Sequence, residues 1–245
     1  MSLRALASAA ALALWGSAVA AECRLALALG LDVSGSVDVM EYRLQLDGVA
    51  NALTHPEVIA AIVSTPGASV ALGVYEWSGP DFQRILVDWT LLQGPAEVVE
   101  AAERLRGAGR VASDPSTAIG ASMLFGARML GAAPACWRQV IDISGDGKSN
   151  TGPHPRDVSV PGDVMINALV IGGELIDPAE NRAVLLPELS AYFRAYILRG
   201  PDAFVETARG FHDFEDAMVR KLKRELMVVA VSDLGRDVPA RPRGQ

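Results

Sequence analysis

Short uncharged apolar runs alternate along this chain with stripes of apolar residues spaced three or four apart. Leu25 to Leu31 is such a run, ended by a charged and hydroxyl-rich loop, and predicts a buried strand. Val39, Tyr42, Leu46, Val49 and Leu53 then recur at helical spacing and predict an amphipathic helix over 38–53. His55-Pro56 breaks it, leaving a short helical turn over 58–63. Ser69 to Trp77 reads as a strand closed by Ser78-Gly79-Pro80, with Gln83 to Trp89 as its antiparallel partner at the sheet edge. Pro95 opens a helix running to Leu105, and a further helix passes through Met123, Ala127 and Leu130.

Arg138 to Ser144 and Asp163 to Ile171 are two more apolar strands, with room only for a minimal crossover helix over 156–162. Pro187 to Leu198 carries Leu189, Tyr192, Phe193 and Tyr196 on one helical face, more simply read as core than as a binding box. Ala203 to Thr207 is a last short strand, and Phe214, Met218, Leu222 and Leu226 mark a terminal helix. Strands alternating with helices predict one α/β domain: a doubly wound, mainly parallel sheet with one antiparallel edge strand and helices on both faces.

The ends change the picture. Arg4, an apolar stretch from Ala5 to Leu14 and a small-residue site at Ala18-Val19-Ala20-Ala21 predict a secretory signal peptide over 1–21. The Pro- and Arg-rich end predicts a disordered tail over 233–245, leaving 22–232 as the domain. Export implies a periplasmic or secreted protein. Without the leader, 22 basic residues less Arg4 stand against 29 acidic ones, moving the net charge from −7 to −8. Such a chain lacks the basic footprint of a nucleic-acid binder. No remaining run reaches membrane length. In an oxidising compartment Cys23 and Cys136 are expected to pair. They lie nine residues before Asp32 and ten before Asp146, at matching depths of two predicted strands.

The chemistry concentrates where the first strand ends. Asp32-Val33-Ser34-Gly35-Ser36 puts one carboxylate and two hydroxyls on a strand-to-helix loop, where open α/β sheets bind ligands. Three oxygen donors suit a hard dication, but Ser36 or Asp38 could equally cap the next helix. Likewise Ser113-Asp114 before the helix near Ile119 reads, alone, as a cap. A phosphate loop fails at Gly147-Lys148-Ser149, because Asp142 stands where the leading Gly belongs. A nucleophile elbow centred on Ser34 fails for want of Gly at Asp32. Asp142, inside a strand, has no role legible in the sequence.

Together, the D-x-S-x-S at 32–36, Thr117 opening a helix and Asp146 in Ser144-Gly145-Asp146-Gly147 resemble the von Willebrand factor A (vWA) family. More narrowly, the segments Val74 to Gly79, Ile141 to Gly147, Ile166 to Leu169 and Gly200 to Val205 resemble the DUF1194 group of exported bacterial proteins. Here Ser144-Gly145-Asp146-Gly147 replaces the usual Thr-Asp-Gly of the wider family. The resemblance implies a metal-ion-dependent adhesion site (MIDAS) built from Asp32, Ser34, Ser36, Thr117 and Asp146. It names Thr117 rather than Ser116, which the sequence itself does not separate. It further implies Mg²⁺, with Mn²⁺ or Ca²⁺ as alternatives, and a protein partner that supplies an Asp or Glu to the ion. A metal-assisted hydrolase and a purely structural metal are the competing readings. Of His55, His154 and His212, only His154 falls near a strand-end loop, so no catalytic set is expected.

Overall fold

The computed structural model describes residues 22–172 and 185–233. The expected leader over 1–21 and the expected tail, apart from Asp233, lie outside the described residues. Six strands form one sheet: β1 (Glu22–Asp32), β2 (Ala68–Trp77), β3 (Gln83–Leu92), β4 (Cys136–Gly145), β5 (Val164–Ile171) and β6 (Val205–Ala208). Their spatial order is β3-β2-β1-β4-β5-β6; only β3 runs antiparallel, as an edge. The predicted doubly wound sheet is therefore the observed one. Helices α1 (Val39–Thr54), α2 (Pro56–Ile62), α3 (Pro95–Gly107), α4 (Ile119–Gly131), α5 (Leu185–Tyr196) and α6 (Phe214–Asp233) cover it.

Two cores result, one on each face. Leu25, Leu27, Leu29 and Leu31 of β1 point one way, onto the apolar faces of α1, α3 and α6. Ala26 and Ala28 point the other way, onto α4 and α5. This period-2 split of a continuous apolar run is what a parallel strand buried on both faces requires. β1 runs through Gly30 because the ring of Tyr75 lies where a side chain would be; a Cβ there would meet its Cζ at 2.6 Å.

Local chemistry sets several boundaries. Asp38 caps α1 by accepting from the N–H groups of Met40 and Glu41, while Glu41 accepts from the Asp38 N–H. His55, expected only as a breaker, caps α2: its Nδ1 accepts from Glu57 N–H, with Pro56 in the first turn. The cap read from Ser113-Asp114 is not used. α4 starts at Ile119 with Ala118 as its N-cap residue, and no side chain bonds there. The crossover from β4 to β5 holds a 3₁₀ turn, Pro155–Asp157, as its length predicts.

Cys23 and Cys136 are paired residues on neighbouring β1 and β4, and a disulfide joins them with Cα atoms 4.4 Å apart. The bond closes a separation of 113 residues at the edge of the sheet opposite the Asp32 loop. In the chain-entropy view it stabilises the fold by about 4–5 kcal/mol.

Candidate metal centre

β1 and β4 are the strands at which the winding reverses, and the crevice beyond their carboxyl ends is the natural ligand position of such a sheet. Asp32 ends β1 there and Asp146 follows β4. Asp32 is fully buried; its carbonyl accepts from Gln45 Nε2 at 2.9 Å and its Oδ1 from Ser34 N–H at 2.9 Å. The Ser34 and Ser36 hydroxyls lie 3.3 Å apart, and Ser36 donates to Asp146 Oδ1 at 2.8 Å. Because Asp38 alone caps α1, neither serine is drawn into helix capping. Four of the predicted residues thus form one hydrogen-bonded series.

Thr117 reaches the same loops through its backbone. Its N–H donates to Asn150 Oδ1 and its carbonyl accepts from Asn150 N–H, both at 2.9 Å. The preceding loop is tied to the first one: Gly35 N–H donates to Pro115 O at 2.9 Å, and a Cβ on Gly35 would come within 3.0 Å of that oxygen. Ser116 is engaged elsewhere, its hydroxyl donating to Asp114 Oδ1 at 2.6 Å. Thr117 is buried at 6% exposure beside this ring of three loops.

The electrostatics are unusual. Burial, and after it the neighbouring Asp146, push the Asp32 carboxyl up from 3.8 to about 8, against the hydrogen bonds from Ser34. Burial also raises Asp146, opposed by the Ser36 hydroxyl. Asp32 Oδ2 is buried with no hydrogen-bond partner, whereas buried carboxylate oxygens are as a rule satisfied. A Cβ placed on Gly145 would lie 3.2 Å from it. Among the described residues no group of three or more His, Cys, Asp or Glu gathers. The donors are two carboxylates and hydroxyls, a hard-oxygen set that fits Mg²⁺, Mn²⁺ or Ca²⁺ better than a soft ion.

Gln45 and Asn150 were not singled out from the sequence. Gln45 lies beside the apolar stripe of α1 and is fully buried, which its sequence position does not signal. His154 Nδ1 accepts from Arg156 N–H at 3.2 Å, capping the 3₁₀ turn, and the ring packs edge-on against Tyr196.

Asp142 receives a partner. It is 2% exposed on β4, with Nζ of the fully buried Lys221 at 3.1 Å from Oδ1. The contact is an ion pair without hydrogen-bond alignment, since neither Asp142 oxygen accepts a well-directed bond. Lys221 donates to Glu225 Oε1 at 3.1 Å, and Asn167 Nδ2 to the same oxygen at 2.7 Å. The ammonium also stands 4.4 Å from the ring centre of Phe204. Burial raises Asp142 to about 6, with Lys221 pulling down and Glu225 pushing up.

No curated protein matches this chain at a significant level. Among solved structures, proximal thread matrix protein 1 from the mussel byssus is similar, at 14% identity and a TM-score of 0.58. That match covers 84% of this chain and 49% of the mussel protein. A structure of the same protein with a zinc-occupied MIDAS motif matches at 16% identity and a TM-score of 0.52, covering 84% of this chain and 48% of the other. The pilus adhesin SpaC from Lactobacillus rhamnosus GG matches at 15% identity and a TM-score of 0.53, covering 84% and 30%. The chain spans about half or less of these proteins' lengths, and the likeness is one of fold. A family model described as a protein of unknown function, DUF1194, matches residues 22–230, and with most of its length so matched the chain belongs to that family.

Proposed function

We propose that this protein is a metal-ion-dependent protein-binding module of the cell envelope. The observation that carries the reading is the buried, unpartnered Asp32 Oδ2 beside a second raised carboxyl, Asp146. Asp32 and Asp146 supply the negative charge, and Ser34, Ser36 and Thr117 supply neutral oxygens. A bound Mg²⁺, or Mn²⁺ or Ca²⁺ in its place, offers an open position to an Asp or Glu of a protein partner. Gln45 fixes the backbone of Asp32, and Asn150 fixes that of Thr117, so the donors are held before any partner arrives. The zinc-occupied motif of the mussel protein and the adhesin role of SpaC are in keeping with this reading. So is the Cys23–Cys136 disulfide with a periplasmic or secreted location. A hydrolase draws no support from His55 or His154, whose Nδ1 atoms both accept backbone N–H groups.

Calorimetric titration with Mg²⁺ tests the site. Asp32→Ala is expected to lose more than about a hundredfold in affinity, beyond the loss typical of outer-shell changes. Unchanged binding would remove Asp32 from the site. Capture from cell-envelope extract, in Mg²⁺ and in EDTA, then tests the partner. A protein retained by wild type only in Mg²⁺, and not by Asp32→Ala, is the expected result. Metal binding and metal-dependent stability without any retained partner would favour a structural ion.

A further inference from the structure

Register places Asp142 of β4 between Leu29 of β1 and Asn167 of β5, its paired residues on either side, so all three share the face that α6 covers. Lys221 and Glu225, one turn apart on α6, meet Asp142 and Asn167 there, and all four polar residues are buried. Glu225 is firmly held: its Oε1 accepts from Lys221 Nζ at 3.1 Å and from Asn167 Nδ2 at 2.7 Å. Asn167 is fixed in turn, its Oδ1 accepting from Phe204 N–H at 2.9 Å. The Phe204 ring stands beside the ammonium, its centre 4.4 Å from Nζ. Asp142 differs. Nζ lies 3.1 Å from its Oδ1, yet among the described residues neither of its oxygens accepts a hydrogen bond. A buried carboxyl without hydrogen-bond donors favours its neutral form, and burial raises this one to about 6. Its Cγ is one bond beyond Oδ1, so Nζ is at most about 4.3 Å from that carbon, about 1 Å or less beyond attack distance. An amine, a carboxyl biased toward its acid form and a fixed carboxylate touching the amine are the parts of an amide condensation.

The geometry points to a cross-link that the folded chain makes by itself: Lys221 Nζ condenses with Asp142 Cγ to an amide, with Glu225 relaying protons. The ion pair is the starting state. One ammonium proton passes to Asp142, leaving a neutral amine beside a neutral acid. The Nζ lone pair then forms the C–N bond at Cγ, and Nζ gives a second proton to Glu225. Glu225 returns it to a hydroxyl on Cγ, the C–O bond breaks and one water leaves. The amide keeps the third proton, and Glu225 ends as it began. Asp142 rather than Glu225 is the acyl partner, because two donors engage Glu225 Oε1 whereas no hydrogen bond engages Asp142. The product exchanges two buried ions for a neutral group, and ions are costly in a protein interior. Because only the neutral forms react, the chain folds with the ion pair intact and the amide accumulates afterwards.

Intact mass spectrometry of the folded protein during incubation, after reduction of the Cys23–Cys136 disulfide, tests the cross-link. A species lighter by one water is expected to accumulate. Tryptic digestion of that species should yield residues 139–148 joined to 221–223, since the acylated Lys221 no longer directs cleavage. Lys221→Met should keep its full mass, and Glu225→Gln should lose water at least about a hundredfold more slowly. Circular dichroism checks that each variant is folded, and the wild-type digest decides the matter without either. A wild type that keeps its full mass throughout, with 222–223 released as a separate peptide, would overturn the inference. So would a chain one water lighter whose 139–148 and 222–223 are recovered unjoined, because the water was then lost at another site. A Glu225→Gln chain that reacts as fast as wild type would overturn the proton relay.

Discussion

Two pairs of acidic residues lie about the middle of this sheet, and they differ in the charge they enclose. Asp142 on β4 and Glu225 on α6 enclose Lys221, a cation supplied by the chain itself. Among the described residues Asp32 and Asp146, at the ends of β1 and β4, enclose no cation; Asp32 Oδ2 lacks a hydrogen-bond partner, as the Asp142 oxygens do, but Asp142 has the Lys221 ammonium at 3.1 Å. Burial raises Asp32 to about 8 but Asp142 only to about 6, and the ammonium is the pull that Asp32 lacks. The comparison teaches what each pair is for. A carboxylate pair with its own lysine is finished on folding and fixes α6 against β4. The pair at the crevice end of β1 and β4 has no such counter-charge among the described residues, and its completion by an arriving cation is the reading proposed above.

Removing the internal cation breaks the comparison most severely. Lys221→Met leaves two carboxylates buried without a counter-charge, and breaking such a pair from one side costs about 3–5 kcal/mol. Urea unfolding is expected to show that loss equally in Mg²⁺ and in EDTA. Asp32→Asn should behave in the opposite sense. In EDTA near neutral pH it removes the cost of protonating a carboxyl that burial holds at about 8, and should raise stability by about 1 kcal/mol. In Mg²⁺ at a hundred times its Kd, wild type gains about 2.7 kcal/mol that the variant does not, and the order of the two reverses. Curves that do not cross would place the cation elsewhere.

The first loop was legible in the sequence because its chemistry is local: Asp32, Ser34 and Ser36 sit within five residues at the end of an apolar strand. The disulfide was legible because nearly equal offsets, nine residues before Asp32 and ten before Asp146, put the cysteines at one depth. Thr117 was harder. Its position depends on Asn150, 33 residues away, and on Ala118 taking the cap position that Ser113-Asp114 promised. Gln45 and Lys221 were not legible. Period-four stripes show which residues of α1 and α6 face inward, but not which polar neighbours the sheet will cover. Lys221 precedes Leu222 of the stripe, and only the packing of α6 over β5 and β6 buries it. The same holds for Asp142, whose partner is 79 residues distant in sequence.

A smaller effect sharpens the comparison by asking how completely Lys221 satisfies its pair. Asp142 lies at about 6 in the folded protein against an ordinary 3.8, so between those values the folded state holds more protons than the unfolded one. Stability from this group is therefore full below pH 4, declines as pH rises and is lost above about pH 6. Asp142→Asn imitates the protonated acid and removes that decline. Urea midpoints for wild type and variant should coincide near pH 4 and separate by pH 7, with the variant the more stable. The difference isolates Asp142, because every other titrating group is common to both proteins. A wild type that instead gains on the variant as pH rises would mean that Lys221 holds Asp142 ionised throughout. The internal ion pair would then be a net stabilising bridge, and the contrast with the open pair at Asp32 would be larger than the burial of the two carboxylates alone accounts for.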